Sequence, residues 1–343
     1  MTTFLFVTDL HNRSERDNPK GRTDNYAKAL LSKQEELGQM IVDHSVDVLL
    51  MGGDLFDRFD VPTGVINDVG AIWKAYPCRK IGVVGSHDYN GFQMKTLRRT
   101  ALGNLFINGN IELVGNGSDT FPSVIPVEYM AGNGRMFRTL ITGTPHSVRL
   151  AERPQNFFTA PPLENSIIIH MIHGDVFPTS VPWPHQTLVN IHPFITADVV
   201  LCGHIHCGWT RTIKEFNEKS TTQNTLYVNS GSLGRTENGK CRNIRGFLFS
   251  IDPVQRVIES TKYVQFTSAA VHPFMEEELG KYEGSPSTDF TALMQRIAML
   301  QLKKVDFRQH IPNIIREAFP NEDESSWTAI SERVVEVLDG SEV

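Results

Sequence analysis

The chain has 343 residues, of which 40% are hydrophobic and 21% charged, and its formal net charge is −6. This composition is that of an ordinary globular protein, and the length allows one large domain with an appendage. No apolar run approaches the roughly 20 residues of a membrane helix, and the N-terminus enters a strand without a signal peptide, so we expect a soluble, cytoplasmic protein with no membrane partner.

The first predicted unit is a strand, a helix and a second strand. An apolar run at residues 4–8 is typical of a buried strand. A helix is expected over about residues 24–44, because apolar residues recur there on one helical face. These residues are Tyr26, Leu30, Leu37 and Ile41. A strand at residues 46–51 then completes a βαβ unit.

A second helical crossover leads to a third strand at residues 80–84. The region from 89 to 138 is less regular, with one strand expected at residues 111–114. The sequence Gly132-Asn133-Gly134 predicts a hairpin turn, because Asn-Gly readily adopts the positive φ angles of a tight turn. Its strands would be residues 124–130 and 136–142.

Further apolar runs end at His173 and at Cys202, and a proline-rich loop separates them. Four more strands are expected, at residues 209–213, 226–229, 246–251 and 257–266. Early βαβ units followed by antiparallel strands indicate an α/β protein with two sheets packed face to face and helices outside.

The C-terminal segment differs from the rest of the chain. Residues 271–343 contain 7 Lys/Arg and 14 Asp/Glu, a net charge of −7, which leaves residues 1–270 at 26 minus 25, or +1. The pattern after about residue 270 is helical, with one apolar stripe at Trp327, Ile330, Val334 and Leu338. We therefore predict a main domain over residues 1–270 and an acidic helical segment over residues 271–343, which is a candidate for docking a protein partner.

Five of the apolar runs end on residues that can bind a metal or move a proton. The endings are Asp9 with His11, Gly53-Asp54, Gly85-Ser86-His87-Asp88, His173-Gly174 and Gly203-His204-Ile205-His206. Ligands bind at the carboxyl ends of strands in open α/β sheets, so these side chains are expected to meet in one site. Scattered core histidines would not fall repeatedly just after a strand.

In order and in strand context, these endings resemble the five motifs of the calcineurin-like metallophosphoesterases. Over residues 3–266 the resemblance implies a four-layer α/β/β/α sandwich that binds two divalent metals. It implies that Asp9, His11 and His206 bind one metal, that Asp54 bridges, and that His173 and His204 bind the other. It also implies that His87 protonates the leaving oxygen as a general acid. Two metals about 4 Å apart activate water and stabilise charge on phosphoryl oxygens.

Ser86 departs from the pattern of the resembled family, which usually has asparagine as a metal ligand at this position. A serine hydroxyl is shorter and a poorer ligand, so either the second metal is held more weakly or a water fills the gap. Introduction of serine to inactivate the enzyme is a third reading. Ligands without thiolate suit manganese, iron or zinc, and magnesium is a further option. Manganese is preferred, because the chain has a further resemblance to one branch of this family.

Three local features resemble the SbcD-type DNA repair nucleases, which act with an SMC-like ATPase of the SbcC type. They are residues 53–57 followed by Pro62, the long loop after His11, and residues 227–235. The resemblance implies a DNA exonuclease, and also an endonuclease, acting in DNA repair, recombination or DNA processing. Candidate DNA contacts are Arg13 and Arg16 in the first loop and Ser232 and Arg235 in the late turn.

Two other functions are compatible with the same motifs. The same metal site would serve a small-molecule phosphodiesterase or nucleotidase, because the family's fold fixes the chemistry and not the substrate. A catalytically weak scaffold subunit is the alternative that the Ser86 departure suggests. The sequence leaves a homodimer open as well.

Overall fold

The computed structural model describes residues 1–19, 21–115, 122–132, 134–147, 149–157, 166–181, 185–215, 223–234, 236 and 244–268. The chain divides into two compact units, of which the first comprises Met1–Ser180 and Pro184–Glu276. The acidic helical segment predicted for residues 271–343 lies outside the described residues. The proposed division at residue 270 and the docking stripe therefore stay predictions.

The described residues form fourteen strands and four α-helices. The strands are β1 Thr2–Val7, β2 Val48–Met51, β3 Arg79–Gly82, β4 Glu112–Leu113, β5 Val124–Met130, β6 Met136–Thr144, β7 Ser166–His173, β8 Val176–Phe177, β9 Gln186–Thr187, β10 Val199–Gly203, β11 Trp209–Glu215, β12 Gln223–Asn229, β13 Arg245–Asp252 and β14 Val257–Gln265. The helices are α1 Tyr26–Asp43, α2 Thr63–Ala75, α3 Ala101–Ile107 and α4 Leu188–Ile191.

The first large sheet has the strand order β14-β13-β1-β2-β3-β4. Strands β1 to β4 are parallel neighbours joined by helical crossovers, whereas β13 runs antiparallel to β1 with Phe4 opposite Phe249. The strand predicted at residues 80–84 ends at Gly82, because the chain then leaves β4. The carbonyl of Val84 instead accepts a hydrogen bond from His146 N, at 3.0 Å.

The second large sheet has the order β11-β12-β10-β7-β6-β5. Its centre is parallel, since β7 pairs in parallel with both β6 and β10, and β12 pairs in parallel with β10. Strands β5 and β6 form the predicted antiparallel hairpin, with Met130 opposite Met136. Gly134 in its turn has a φ of 78°, as the Asn-Gly sequence predicts.

Three apolar clusters separate four layers. One lies between the first sheet and helices α1 to α3, a second between the two sheets, and a third on the outer face of the second sheet beneath α4. Strand β1 shows how alternation produces this, because Phe4 and Phe6 face the other sheet while Leu5 and Val7 face the helices. The predicted α/β sandwich of two sheets with helices outside is confirmed.

Helix α1 begins at a residue suited to capping. The side chain of Asn25 accepts a hydrogen bond from Lys28 N at 3.0 Å, which satisfies an amide that the first helical turn leaves without a partner. The helix then extends away from the strand ends that form the site.

No helix in the described part of the chain is long and apolar enough to cross a membrane.

Candidate metal centre

The ends of five strands meet at one edge of the sandwich. Strands β1, β2 and β3 of the first sheet deliver Asp9, Asp54 and His87, and β7 and β10 of the second deliver His173 and His204. The loops after β1 and β2 are joined by backbone hydrogen bonds, from Asp9 N to Gly53 O at 3.1 Å and from His11 N to Asp54 O at 3.0 Å. The predicted convergence of these residues is what the topology produces.

The backbone at the site adopts an uncommon conformation. Of the six non-glycine residues with positive φ in the described chain, four are predicted ligands. They are Asp9 at 54°, His11 at 52°, Asp54 at 52° and His204 at 81°. Such conformations cost free energy and persist only where surrounding contacts hold them, so the ligand positions must be stabilised by their neighbours.

The first group of ligands consists of Asp9, His11 and His206, whose ligand atoms lie within 4.8 Å of one another. The Nε2 atoms of the two histidines are 3.2 Å apart. Two nitrogens bound to one ion at about 2.1 Å each would lie about 3 Å apart, so the spacing fits a shared metal. Asp9 Oδ2 accepts hydrogen bonds from Thr8 Oγ1 and His204 N. Asp9 Oδ1 also accepts from His204 N at 3.2 Å, and it is the oxygen that faces the group, because it lies 3.9 Å from His11 Nε2 and 3.8 Å from His206 Nε2.

The second group consists of Asp54, His173 and His204, also within 4.8 Å of one another. Asp54 Oδ2 lies 3.1 Å from His173 Nε2 and 4.0 Å from His11 Nε2. This oxygen therefore stands between the two groups, which is the position a bridging carboxylate requires. Asp54 is buried, whereas 27% of each of the His204 and His206 side chains is exposed. The site is thus deep at Asp54 and open at these two histidines.

The surroundings of His173 fit a metal ligand. Its Nδ1 lies 2.7 Å from Gly52 O, and since a carbonyl only accepts, Nδ1 carries a proton and Nε2 is the ligand atom. His173 Nε2 is buried without a hydrogen-bond partner, although it faces a carboxylate. A Cβ at residue 53 would lie 2.2 Å from His173 Nδ1, and Gly53 has a φ of 102°, so glycine is required here. Divalent metals fit these nitrogen and oxygen donors.

The charges of the second group stabilise each other in the metal-free protein. Burial by itself lowers the pKa of His173, but the Asp54 carboxylate raises it to about 10. Burial by itself disfavours the Asp54 carboxylate, yet His173, His11 and His87 hold the pKa of Asp54 well below its ordinary value. In the metal-free protein, protonated His173 therefore supplies the positive charge beside Asp54 that a bound metal ion would supply.

Ser86 and His87 both bind the Asp54 carboxylate. The Ser86 hydroxyl donates to Asp54 Oδ2 at 3.0 Å, and His87 N donates to Asp54 Oδ1 at 2.8 Å. The His87 side chain is exposed, and its Nδ1 lies 2.6 Å from Asp57 O. Because that carbonyl only accepts, Nδ1 is protonated, and His87 Nε2 is the nitrogen able to give or take a proton at the open side of the site.

A third group brings together His11, Asp57 and His87, with ligand atoms within 4.8 Å. Arg13 forms an ion pair with Asp57, whose Oδ1 also lies 3.5 Å from His11 Nδ1. Burial by itself raises the pKa of Asp57, but His11 and Arg13 hold it below its usual value. A metal would compete there with a guanidinium, so we interpret this group as the ion pairs of Asp57 with His11 and Arg13, which orient His11, and not as a third metal site.

Several residues of the site carried no role in the sequence-based prediction. Asp88 is buried and accepts hydrogen bonds from Asp54 N and Gly85 N, each at 2.9 Å. Burial and the Asp54 carboxylate raise the pKa of Asp88 to about 7. Asp57 and Asp88 stand within the quoted motif segments, and this position is the sequence signal that could have indicated a role for them in the site.

Two further residues outside the five motifs approach His204. The His146 ring lies 5.4 Å from that of His204, and Asp175 Oδ1 lies 3.5 Å from His204 Nε2. Tyr89 OH donates to His146 O at 2.6 Å and lies 3.2 Å from its Nδ1. The tyrosine proton is used by the carbonyl, so Nδ1 of His146 is the donor in the second contact. No sequence motif marks His146, whereas Asp175 directly follows the motif His173-Gly174.

The predicted substrate contacts have different surroundings. Arg13 is paired with Asp57 as described, and Arg16 is exposed. The Ser232 hydroxyl donates to Asp9 O at 2.8 Å. Arg235 lies outside the described residues. Their roles toward a substrate stay predictions.

One cysteine differs from the others beside the metal ligands. Cys207, which follows His206, is disulfide-bonded, whereas Cys78 and Cys202 are free. The free cysteines show that the bonding partner of Cys207 is outside the described residues.

A comparison with protein families gives one match. The family model described as calcineurin-like phosphoesterase matches residues 2–208, which include all seven predicted metal-ligand positions. No curated protein matches the chain.

Among solved structures, the chain is similar to a calcineurin-like phosphoesterase, YfkN, from Bacillus subtilis. The identity is 13%, the alignment covers 82% of this chain and 95% of that one, and the TM-score is 0.46. It is also similar to a putative 5'-nucleotidase from Staphylococcus aureus, at 13% identity over 81% of this chain and 57% of that one, with a TM-score of 0.43. A third is TT1561 of Thermus thermophilus, at 10% identity over 77% of this chain and 99% of that one, with a TM-score of 0.39.

Proposed function

Because the chain belongs to the calcineurin-like phosphoesterase family, we propose that it is a metal-dependent DNA nuclease, with exonuclease and also endonuclease activity. Family membership implies a phosphoester hydrolase, and DNA as the substrate is our proposal. The observation that carries the catalytic part is the position of Asp54 Oδ2 between two groups of ligands, with His87 exposed beside them.

Each residue of the site has a part in the proposed hydrolysis. Asp9, His11 and His206 would hold one metal, His173 and His204 the other, and Asp54 would contact both. Bound metals would supply Lewis acidity toward the phosphoryl oxygens and activate water. His87 would donate a proton from Nε2 to the leaving oxygen, because Asp57 O already accepts the Nδ1 proton. Asp88 keeps the loops after β2 and β3 together through backbone amides.

The donor set is composed of imidazole nitrogens and carboxylate oxygens. These donors suit Mn²⁺, Fe²⁺ or Zn²⁺, with Mg²⁺ a further option. Manganese is proposed as the working metal, on the basis of the likeness to SbcD-type nucleases.

A polymeric substrate is consistent with the open side of the site. His87 is exposed, and Arg16 extends from the loop after β1 as an exposed positive charge. The sequence features that resemble SbcD-type nucleases support DNA in particular, and with it a role in repair, recombination or DNA processing beside an SMC-like ATPase of the SbcC type.

A small-molecule phosphodiesterase or nucleotidase is the second candidate, and one observation favours it. Two arginines of the loop after β1 are engaged with acidic side chains, Arg13 with Asp57 and Arg22 with Asp24. Paired arginines contribute less positive potential to a polyanion groove. A short substrate held chiefly by the metals would not need them.

Labelled DNA distinguishes these candidates. The substrates are single-stranded DNA, double-stranded DNA and bis-p-nitrophenyl phosphate. Each is incubated in Mn²⁺ with one of four proteins, which are the wild type, Asp54→Ala, His87→Ala and His44→Ala. His44 ends helix α1, away from the strand ends that form the site, and serves as a matched histidine control. We expect DNA cleavage by the wild type and His44→Ala, none by Asp54→Ala, and a loss of about 10²-fold to 10⁴-fold for His87→Ala.

The outcomes separate the alternatives. Turnover of the small ester without DNA cleavage would support the nucleotidase or phosphodiesterase function. Hydrolysis of neither substrate at any Mn²⁺ concentration would support a scaffold subunit.

The proposed ATPase partner requires its own experiment. We expect the full chain to co-elute with an SMC-like ATPase of the SbcC type, and a Val334→Glu variant of the predicted apolar stripe to elute separately while keeping its nuclease activity. Light scattering on the same column would determine whether the chain alone is a homodimer. If the wild type and Val334→Glu co-elute equally with the ATPase, the apolar stripe is not the docking surface.

A further inference from the structure

The turn that follows β12 is hydrogen-bonded to the backbone of the first metal-ligand group. This turn, residues 229–234, belongs to the segment 227–235, in which Ser232 and Arg235 are predicted to contact DNA. Its described polar groups are instead directed to the segment 203–208 after β10 and to the segment 8–11 after β1. We propose that Asn229 is a positioning residue for the first metal, acting through the turn on Asp9 and His206.

The Asn229 side chain makes two hydrogen bonds that fix both halves of its amide. Asn229 Nδ2 donates to Ile205 O at 2.8 Å, and Asn229 Oδ1 accepts from Gly231 N at 2.7 Å. Ile205 stands between the ligands His204 and His206, and Asn229 is fully buried. A buried amide with both functions satisfied holds one geometry, because any rotation would leave a polar group without a partner.

The rest of the turn continues the connection to the ligands. Ser232 N donates to His206 O at 3.0 Å, and the Ser232 hydroxyl donates to Asp9 O at 2.8 Å. Leu233 N donates to Thr8 O and Gly234 N to Asp9 O, at 3.1 and 3.0 Å. The backbone carbonyls of Asp9 and His206 are therefore both bound by one six-residue segment.

The geometry of the turn depends on close approach. Gly231 has a φ of 84°, and a Cβ at this position would lie 3.0 Å from His206 O. Asn229 Oδ1 accepts the hydrogen bond from Gly231 N and holds this amide in place. Because Asp9 and His204 themselves have positive φ, their loops do not rest in a relaxed conformation without external contacts. Asn229 supplies such a contact to the loop of His204, and Ser232, in the same turn, joins that loop to the loop of Asp9.

Metal affinity is the property that this arrangement should control. Residues that orient metal ligands without touching the metal typically contribute about 10-fold to 100-fold to affinity. Asn229→Asp keeps the shape and the acceptor for Gly231 N, but it replaces the donor to Ile205 O with an oxygen. The inference concerns metal binding, so it holds whichever phosphoester is cleaved, and its failure is distinguishable from failure of the nuclease proposal.

The experiment measures Mn²⁺ binding to the full-length protein by isothermal titration calorimetry, together with the melting temperature in EDTA. The variants are Asn229→Asp and Ser232→Ala, with Thr225→Val as the matched control. Thr225 is on the same strand and equally buried, and its hydroxyl donates to Ala197 O at 2.9 Å. The Thr225→Val variant therefore loses one buried hydrogen bond, at the end of β12 that lies away from the site.

We expect Asn229→Asp to weaken binding of one Mn²⁺ by about 10-fold to 100-fold, with a smaller weakening in Ser232→Ala. Thr225→Val should lower the melting temperature and leave the Mn²⁺ dissociation constant unchanged. Equal Mn²⁺ affinity in wild type, Asn229→Asp and Ser232→Ala would overturn the proposal. Weakening of the same size in Thr225→Val would also overturn it, because loss of stability alone would then explain the effect. Ser232→Ala decides the matter if Asn229→Asp does not fold.

Discussion

The hydroxyl of Ser86 donates a hydrogen bond to Asp54 Oδ2, 3.0 Å away, which is the same oxygen that lies 3.1 Å from His173 Nε2. In the resembled family this position usually holds an asparagine that binds the second metal. Here the shorter serine contacts the carboxylate of Asp54, which is proposed to bridge the metals, so it shares the oxygen that the two metals would need. The second metal is therefore expected to be held by one ligand fewer.

Replacement of Ser86 by asparagine should strengthen metal binding. The longer amide carries an oxygen suited to a metal, and it removes the hydroxyl from Asp54. We expect Ser86→Asn to lower the Mn²⁺ concentration that gives half-maximal hydrolysis of bis-p-nitrophenyl phosphate. Superimposable Mn²⁺ titration curves for the two proteins would contradict this, and His44→Ala should follow the wild-type curve.

Metal binding should release a proton near neutral pH. The pKa of His173 is about 10 in the metal-free protein, because Asp54 outweighs the effect of burial, so a metal must displace that proton. The apparent Mn²⁺ affinity should rise with pH between 6 and 9 by up to about tenfold per unit. Calorimetry in buffers of different ionisation enthalpy measures the proton directly. A heat of binding that is independent of the buffer would refute the assignment.

The same pKa has a consequence for the metal-free protein. The folded-state pKa of His173 lies above the unfolded value of 6.5, so its stabilising contribution is full below pH 6.5 and is lost as the pH rises toward 10. Urea unfolding in EDTA should show this contribution declining between pH 7 and pH 9. Excess Mn²⁺ should remove that dependence.

His170 should destabilise the fold in acid. It is buried in β7, with its ring nitrogens 2.7 Å from Thr142 Oγ1 and 3.0 Å from Thr144 Oγ1, and burial lowers its pKa to about 3. The unfolded chain binds the proton more readily, so stability from the neutral imidazole is full above pH 6.5 and is lost toward pH 3. The loss is about 1.4 kcal/mol per pH unit within that range.

A His170→Gln variant tests this contribution by urea unfolding at pH 7 and pH 5. The variant should be less stable than the wild type at pH 7, with a smaller difference at pH 5. A constant difference at the two pH values would show that His170 does not titrate on unfolding.

Arg13 and Arg16 should behave differently although both precede α1. Arg13 is paired with Asp57, which contacts His11, whereas Arg16 is exposed. If the protein binds DNA as proposed, Arg16→Ala should reduce the slope of log affinity against log salt by about 1. Arg13→Ala should instead weaken Mn²⁺ binding. Fluorescence anisotropy with labelled DNA at several salt concentrations would reveal the opposite pattern if Arg13 contacts phosphate directly.

The sequence was informative about the fold because its signals are local. The continuous apolar run in β1, the helical spacing in α1 and the Asn-Gly turn between β5 and β6 predict these elements without knowledge of their neighbours. Boundaries were less predictable, as β3 shows. It ends at Gly82, and the carbonyl of Val84 then accepts a hydrogen bond from His146 N.

The candidate site divides in the same way. By itself the sequence determined that Asp9, His11, Asp54, His173, His204 and His206 follow strands, because motif spacing and strand order are written along the chain. Only the tertiary structure decided that Arg13 pairs with Asp57, that His146 and Asp175 approach His204, and that Ser232 binds the Asp9 carbonyl. Those contacts join residues far apart in sequence. Arg13 and Asp57 follow neighbouring strands of the first sheet, His146, Asp175 and His204 follow strands of the second, and the contact of Ser232 with Asp9 joins the two sheets. Local pattern therefore predicts which atoms can hold a metal, whereas packing determines which groups orient them.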